Sequence, residues 1–331
     1  MSQQGAGNSC SGEETPSFSE EDARLNSLYT SSDSRDLLEF YDNFRDRDSL
    51  ISWMKRRPSG RYVIKEVEGR TDIVAVIPTS DAGGKHAAEC RDRIFRGMHT
   101  IFVDNGGRSD RYFNFARNVN AGIRKALTYN PDWIVYSNDD MYFIDGPEVL
   151  REGLGKLDPS SVRTVFTHPP GSYHSHPLSI AERGFLFNIL SYAASRFGRG
   201  YYLSEMRLLS RYKNRYFVRP VRPSLKGVLF RNPRKYLVIS SFGIFSAKYA
   251  ASKNGELFDG TYINGFEDID LSIELTSDRG NYAFVEYRIG DIGGQNLGTS
   301  QLRFLRDVVN VTYFNQKVES GLVKLHPNHP L

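Results

Sequence analysis

Apolar runs of four or five residues recur between residues 72 and 137, each ended by a polar cluster and separated from the next by a longer amphipathic stretch. Ile73-Val74-Ala75-Val76-Ile77 stops at Pro78, and Thr100-Ile101-Phe102-Val103 stops at Asp104-Asn105-Gly106-Gly107. Trp133-Ile134-Val135-Tyr136 leads into Asn138-Asp139-Asp140. These runs are apolar at every position rather than at alternate ones, which predicts strands buried on both faces. The stretches between them, 86–97 and 113–127, predict helices, the second stopping near Asn130-Pro131. The alternation predicts an α/β, Rossmann-like fold with a doubly wound parallel sheet. Ligands in such sheets bind beyond the carboxyl ends of the strands. Thr79-Ser80-Asp81, Asp104-Asn105 and Asn138-Asp139-Asp140 all fall there.

Around this segment the pattern differs. Residues 1–33 are polar and acidic, which predicts a disordered segment. From 34 to 55, Leu37, Leu38, Phe40, Tyr41, Phe44, Leu50, Ile51 and Met54 recur at a spacing that predicts one or two amphipathic helices. Arg57-Pro58-Ser59-Gly60 breaks that pattern, so 34–70 is an N-terminal helical segment and 71–160 the first half of the α/β domain. Residues 161–235 are rich in Tyr, Phe and Arg and carry Pro220, Pro223 and Pro233. They predict a basic, aromatic-rich helical insertion, with a helix around 179–197 and a less regular part after it. Residues 236–331 resume the α/β rhythm: strands at 236–239 and 282–287, a helix at 268–277, the glycine-rich loop IGDIGGQNLGT, and a C-terminal helix from 300 to about 309.

A chain of 331 residues with 39% hydrophobic content holds one large domain or two small ones. The net charge is only +4, but residues 1–50 contain eleven acids and four bases, whereas 183–235 contain thirteen Lys or Arg and one acid, Glu205. The basic stretch should face something negative. An anionic lipid, a lipid-diphosphate acceptor or an acidic glycan would serve, as would a plain solvated surface. No RNA-binding motif accompanies it, so no nucleic-acid partner is expected. Cys10 and Cys90 exclude a disulfide framework. No apolar run approaches the roughly 18–20 residues of a membrane span, and the first residues lack the basic start and apolar core of a secretory signal. The expectation is a cytoplasmic protein, peripheral at an anionic membrane through 183–235.

Two acidic clusters carry the candidate chemistry. Asp139 and Asp140 follow the third strand, where carboxylates are placed to hold Mg²⁺ or Mn²⁺ together with substrate phosphates. The other reading of Asp-Asp is a polar turn. Glu267 and Asp268 open the helix whose apolar residues are Ile269, Leu271, Ile273 and Leu275. Acids there complement the helix dipole, and one of them is also placed to accept a proton.

The ordered set IVAVIPT, IFVDNGG, FNFARNVNAGI, WIVYSNDD and FDGTYINGFEDIDLSIEL resembles the family 2 glycosyltransferases of the GT-A fold, nearest the rhamnosyltransferase-like branch, over about 70–160 and 236–317. The resemblance implies a mixed, mainly parallel sheet flanked by helices, and an inverting transfer of a sugar from a nucleoside-diphosphate sugar to a hydroxyl of a glycan or lipid-linked acceptor, with Mn²⁺ or Mg²⁺ as cofactor. It places Thr79 and Asp81 in the nucleoside pocket, and Asp104 and Asn105 near the base and ribose. Arg117 would approach the nucleotide or pair with a structural carboxylate. Asn138-Asp139-Asp140 fills the DxD slot, with Asn138 and Asp139 toward the donor and Asp140 and Asp139 toward the metal. Asp268 is the implied general base, assisted by Glu267, and Glu267 and Asp270 orient the acceptor. The chain departs from the family at Asn138, at Asp291, which stands where a metal-binding His is common, and at Glu274, where many members have Arg. These departures keep a second expectation in play: a catalytically silent GT-A protein that binds a nucleotide or a partner.

Overall fold

A computed structural model of the chain describes residues 18–106, 110–168, 175–197, 201–218, 230–292 and 302–326. Three helices come first: α1 (Glu20–Thr30), α2 (Ser34–Asp42) and α3 (Arg47–Arg56). The sheet begins with β1 (Val63–Val67), β2 (Arg70–Thr79), α4 (Lys85–Glu89), β3 (Met98–Asp104), α5 (Phe115–Leu127) and β4 (Trp133–Ser137). It continues through β5 (Met141–Phe143), α6 (Pro147–Gly155) and β6 (Thr164–His168). A separate layer follows: β7 (Ser175–Arg183), α7 (Phe185–Phe197), α8 (Tyr201–Arg211), β8 (Tyr216–Val218) and β9 (Phe230–Ile239). The chain then returns through β10 (Phe242–Ser246), α9 (Ala247–Ser252), α10 (Glu267–Leu275), β11 (Tyr282–Glu286), β12 (Ile289–Asp291) and α11 (Leu302–Glu319).

The central sheet has the order β1-β3-β2-β4-β10-β6-β11. Strands β2, β3, β4, β6 and β11 point one way, and β1 and β10 oppose them. The sheet is therefore α/β and mainly parallel, but mixed rather than wholly parallel as the apolar runs alone predict, because β1 and β10 run against the rest. Alternation within each run explains why both faces are covered. Ile73, Ala75 and Ile77 of β2 enter one core with Leu150 and Leu154 of α6. Val74 and Val76 enter another with Val119 and Ile123 of α5. At Gly122 a Cβ would stand 2.3 Å from Val76 Cγ1, so glycine is what lets α5 lie this close to the sheet.

A third core joins α1–α3 to α8, α10 and α11 through Leu25, Phe40, Trp53, Leu209, Ile273 and Phe314. Its centre is aromatic, with the Phe40 and Trp53 ring centroids 4.8 Å apart at 65°. Such edge-to-face pairs add about 0.5–1.5 kcal/mol beyond area burial.

Several expectations are corrected here. The disordered reading fails for residues 20–30, which form α1; its start is a capping box of Ser19 and Asp22, and Leu25 and Tyr29 are buried. Two apolar side chains suffice because α2, α3 and α11 supply the rest of that core. Residues 1–17 lie outside the described residues. The helix expected over 86–97 is short and gives way to a π-turn at Cys90–Ile94. The boundary at 161 cuts off β6, which belongs to the central sheet between β10 and β11. The helix placed at 179–197 starts at Phe185, because β7 continues to Arg183 in an antiparallel three-stranded sheet with β8 and β9. The part after it is regular: α8 buries Leu208 and Leu209 beneath its charges. The insertion is thus mixed rather than helical. The C-terminal helix runs to Glu319.

Candidate functional site

Parallel pairing puts Thr79 opposite Asp104 at the carboxyl ends of β2 and β3. Thr79 Oγ1 donates to Asp139 Oδ2 at 2.7 Å and accepts the Asp81 N–H at 3.1 Å. Asn105 N–H donates to the Thr79 carbonyl at 3.1 Å. Thr79, Asp81, Asp104, Asn105 and Asp139 therefore share one edge of the sheet. Asp104 is committed within the protein: it accepts from Lys65 Nζ at 2.7 Å, from Ala82 N–H at 3.2 Å and from Gly106 N–H at 2.9 Å. Burial acts to raise its carboxyl, but these donors outweigh it and hold the group below its ordinary value. Asp81 is exposed and turns back on Gly83 N–H at 2.9 Å.

Asp140 is 4% exposed, and its Oδ1 is buried with no hydrogen-bond partner. Strand β12 brings Asp291 beside it: Asp291 pairs with Met141 in the β5–β12 ladder, and Ile292 N–H donates to the Asp140 carbonyl at 3.0 Å. Burial first, then the charges of Asp291 and Asp139, push the Asp140 carboxyl above its ordinary value, while His86 opposes them. Gly290 makes this approach open. A Cβ there would stand 1.9 Å from the Tyr142 ring, which lies across the strand. Among the described residues, no three His, Cys, Asp or Glu side chains gather into a group able to hold a metal alone. Two acids and a buried, unpartnered carboxylate oxygen do fit a Mg²⁺ or Mn²⁺ site of the kind completed by phosphates and water. The loop beyond Ile292, from Gly293 to Ser300, lies outside the described residues.

The second cluster sits on a left-handed turn. Asn264 has φ 54° and Phe266 φ 74°. A bulky residue there stores strain on the order of 1–3 kcal/mol, as backbones at working sites often do. Phe266 is the N-cap of α10 and gives it no side-chain cap, so the acids that follow take over that end of the helix. Asp268 is half-buried, and its Oδ1 accepts the Ile269 N–H at 2.8 Å. Glu267 is 5% exposed with an unpartnered Oε2. Burial, then the charge of Asp268, pushes its carboxyl up to about 8. Burial thus works against any lowering of the Glu267 carboxyl by the helix dipole.

Residues 239–241 tie the two clusters together. Ser272 Oγ donates to the Asp268 carbonyl at 2.6 Å and accepts the Ile239 N–H at 3.0 Å. The Ser240 carbonyl accepts the Tyr136 hydroxyl, and the Ser241 carbonyl accepts the Asn138 N–H at 2.8 Å. Burial, and after it the charges of Asp268 and Glu267, push the Tyr136 hydroxyl well up. The start of α10 therefore stands against the end of β4.

Two expected residues are engaged elsewhere. Arg117 donates to the Gly260 carbonyl at 3.1 Å and to Ser59 Oγ at 2.6 Å, bracing α5 against the 259–261 loop. Asp270 pairs with Lys317, whose Nζ also reaches Asp259 at 2.8 Å. One ammonium serves two carboxylates. Burial raises both; the Lys317 charge overcomes this at Asp259 but not at Asp270, whose carboxyl stays raised. Asp259, Asp270 and Lys317 line a cleft of about 560 Å³ together with Glu274, so α10 meets it with a different set of side chains from Asp268. Lys65 and His86 are the neighbours that sequence reasoning missed. Each belongs to an element flanking β2, and only the tertiary pairing brings it to Asp104 or Asp140. Cys90 is buried under the Asp139 carbonyl, with Sγ 3.6 Å away, and burial raises its thiol. Comparison of the chain with family models, with curated proteins and with solved structures gave no match in any of the three.

Proposed function

We propose that this protein is an inverting glycosyltransferase of GT-A architecture acting on a nucleoside-diphosphate sugar. The observation that supports this most is the convergence just described: residues 239–241 hold the start of α10 against the end of β4, so acids about 130 positions apart serve one edge of the sheet. Asp140, with Asp291 beside it, would hold Mg²⁺ or Mn²⁺, with Asp139 fixed by Thr79. When bound, the cation supplies charge neutralisation to the departing diphosphate. Asp268 accepts the proton of the acceptor hydroxyl as its oxygen bonds to the anomeric carbon. The bond from that carbon to the diphosphate oxygen breaks on the opposite face, through an oxocarbenium-like transition state. Burial and the neighbouring Asp268 favour the proton-bearing form of Glu267, which would leave the role of base to Asp268.

The test is a screen of UDP-, dTDP- and GDP-sugars with Mn²⁺ or Mg²⁺, read by thermal shift and by release of the nucleoside diphosphate. One donor should raise the melting temperature only with metal and should be turned over. Asp140→Asn should abolish the metal-dependent shift. Asp268→Asn should keep the shift but slow release by about 10²–10⁴-fold, the usual worth of a general base. Absence of any shift with every donor would sink the proposal. A shift without turnover would favour a silent nucleotide-binding protein.

A further inference from the structure

Helix α7 exposes a greasy face. Phe185 and Tyr192 are 68% and 65% exposed, and Leu186, Ile189 and Leu190 between them are also exposed. At 100° per residue these five fall within one arc of about 160°, while Phe187 on the other side is buried in the third core. A contiguous apolar face of this kind on a monomer marks an interaction site.

What adjoins it is cationic. Tyr192 also lines a cavity of about 610 Å³ whose other walls include Arg183, Arg207, Arg211, Lys213 and Arg215. Arg211 pairs with Asp42 and Arg215 with Glu182, but among the described residues no carboxylate pairs with Arg183, Arg207 or Lys213. Arg183 is seated between Phe187 and Phe217, at 5.1 and 5.5 Å, and its guanidinium donates to Ser210 Oγ and to the Leu209 carbonyl at the end of α8. That end of α8 is thus pinned beneath the apolar helix, and the uncompensated charge is gathered beside it. Over 183–235 the sequence offers thirteen bases against one acid.

Apolar side chains on one face and bases beside them are the two halves of an interfacial membrane contact. We infer that the exposed face of α7 and the adjoining cationic cavity seat this protein on an anionic phospholipid bilayer, with the apolar side chains in the acyl boundary and Arg207 and Lys213 on lipid phosphates. Charge complementarity selects this occupant: a second copy of the chain would bring the same positive surface against itself. Among the described residues no helix is long and apolar enough to cross a membrane, so the contact lies in the interface plane. The inference stands apart from the transferase reading, because it is tested without any sugar donor.

Vesicles of phosphatidylcholine alone, and with about a third phosphatidylglycerol, should be sedimented with the full chain. Binding should appear only with the anionic lipid. It should fall by about tenfold or more in Ile189→Ser/Tyr192→Ser and, separately, in Arg207→Glu/Lys213→Glu. All four positions are exposed, so unchanged far-ultraviolet circular dichroism and melting temperature certify the fold. In Ile189→Trp, the emission of the new tryptophan should shift to the blue on binding. Equal binding to both vesicles, no binding, or charge-dependent binding unaffected by the α7 substitutions would each overturn the inference. So would a dimer in solution that the α7 substitutions dissociate.

Discussion

At the scale of single residues, the carboxylates of the sheet edge differ in state although they share a type. Asp104 is held ionised by Lys65 and two N–H groups, whereas Asp140 and Glu267 are pushed up by burial and by neighbouring acids. Glu267 carries the clearest consequence. Its folded value near 8 lies above the ordinary 4.5, so the folded state binds the proton more tightly. The associated stability is complete below the unfolded value and is lost as pH rises toward the folded one. Relative to Glu267→Gln, which cannot titrate, the native protein should lose about 2 kcal/mol of stability between about pH 6 and about pH 8. Urea unfolding of both proteins at the two pH values measures this. A constant difference would mean that Glu267 is not the buried proton holder. None of this is visible in the string NGFEDIDL, where Glu267 and Asp268 look alike; burial, a property of the folded chain, separates them.

At the scale of elements, strands were the easiest to read. β2, β3 and β4 are continuous apolar runs because helices cover both sheet faces, and that signature survives in the sequence. Less legible were elements whose apolar residues are few or faced outward. α1 contributes little beyond Leu25 and Tyr29, so its composition looks disordered. The sequence places a helix near α7 without showing which face it buries, and much of its apolar face is in solvent. The acid clusters were legible as residues, but their convergence was not. It depends on a hydrogen bond between elements: Ser272 of α10 to the last N–H of β9. Ser272 is fully buried, so Ser272→Ala leaves the Ile239 N–H unpaired and should cost about 1–3 kcal/mol in urea unfolding. It also removes the hydroxyl that Ser272 donates to the Asp268 carbonyl, so on the transferase reading turnover should fall more than Asp140-dependent metal binding. Equal losses in both would show that α10 is not positioned through this contact.

At the scale of the whole molecule, the question is whether three cores behave as one. The N-terminal helices have no strand of their own in the central sheet, yet polar groups bind them to the rest. Arg57, buried after α3, donates from Nε to Asn26 at 2.8 Å and from Nη2 to the Arg111 carbonyl at 2.5 Å, ahead of α5. Burial lowers its guanidinium to about 10, a sign of how completely water is excluded there. Arg306 of α11 reaches the Ser31 carbonyl at 2.6 Å, and Arg47 pairs with Glu319. On the other side, Phe266 at the head of α10 packs on Phe314 of α11 at 5.9 Å, inside the same core as Leu25 and Trp53. The helical layer and the candidate base therefore share packing, and neither can open without exposing the other's apolar surface. The two tryptophans of the chain make this measurable: Trp53 lies in the helical core and Trp133 in β4 of the sheet. Single-tryptophan proteins, made by Trp133→Phe or Trp53→Phe, each report one core. Normalised to the far-ultraviolet circular dichroism of the same protein, both fluorescence transitions in urea should coincide with the loss of helix, as all-or-none unfolding requires. An early Trp53 transition, with Trp133 still native, would mean that the N-terminal layer is a separable unit and that the shared packing around Phe266 does not couple it to the sheet.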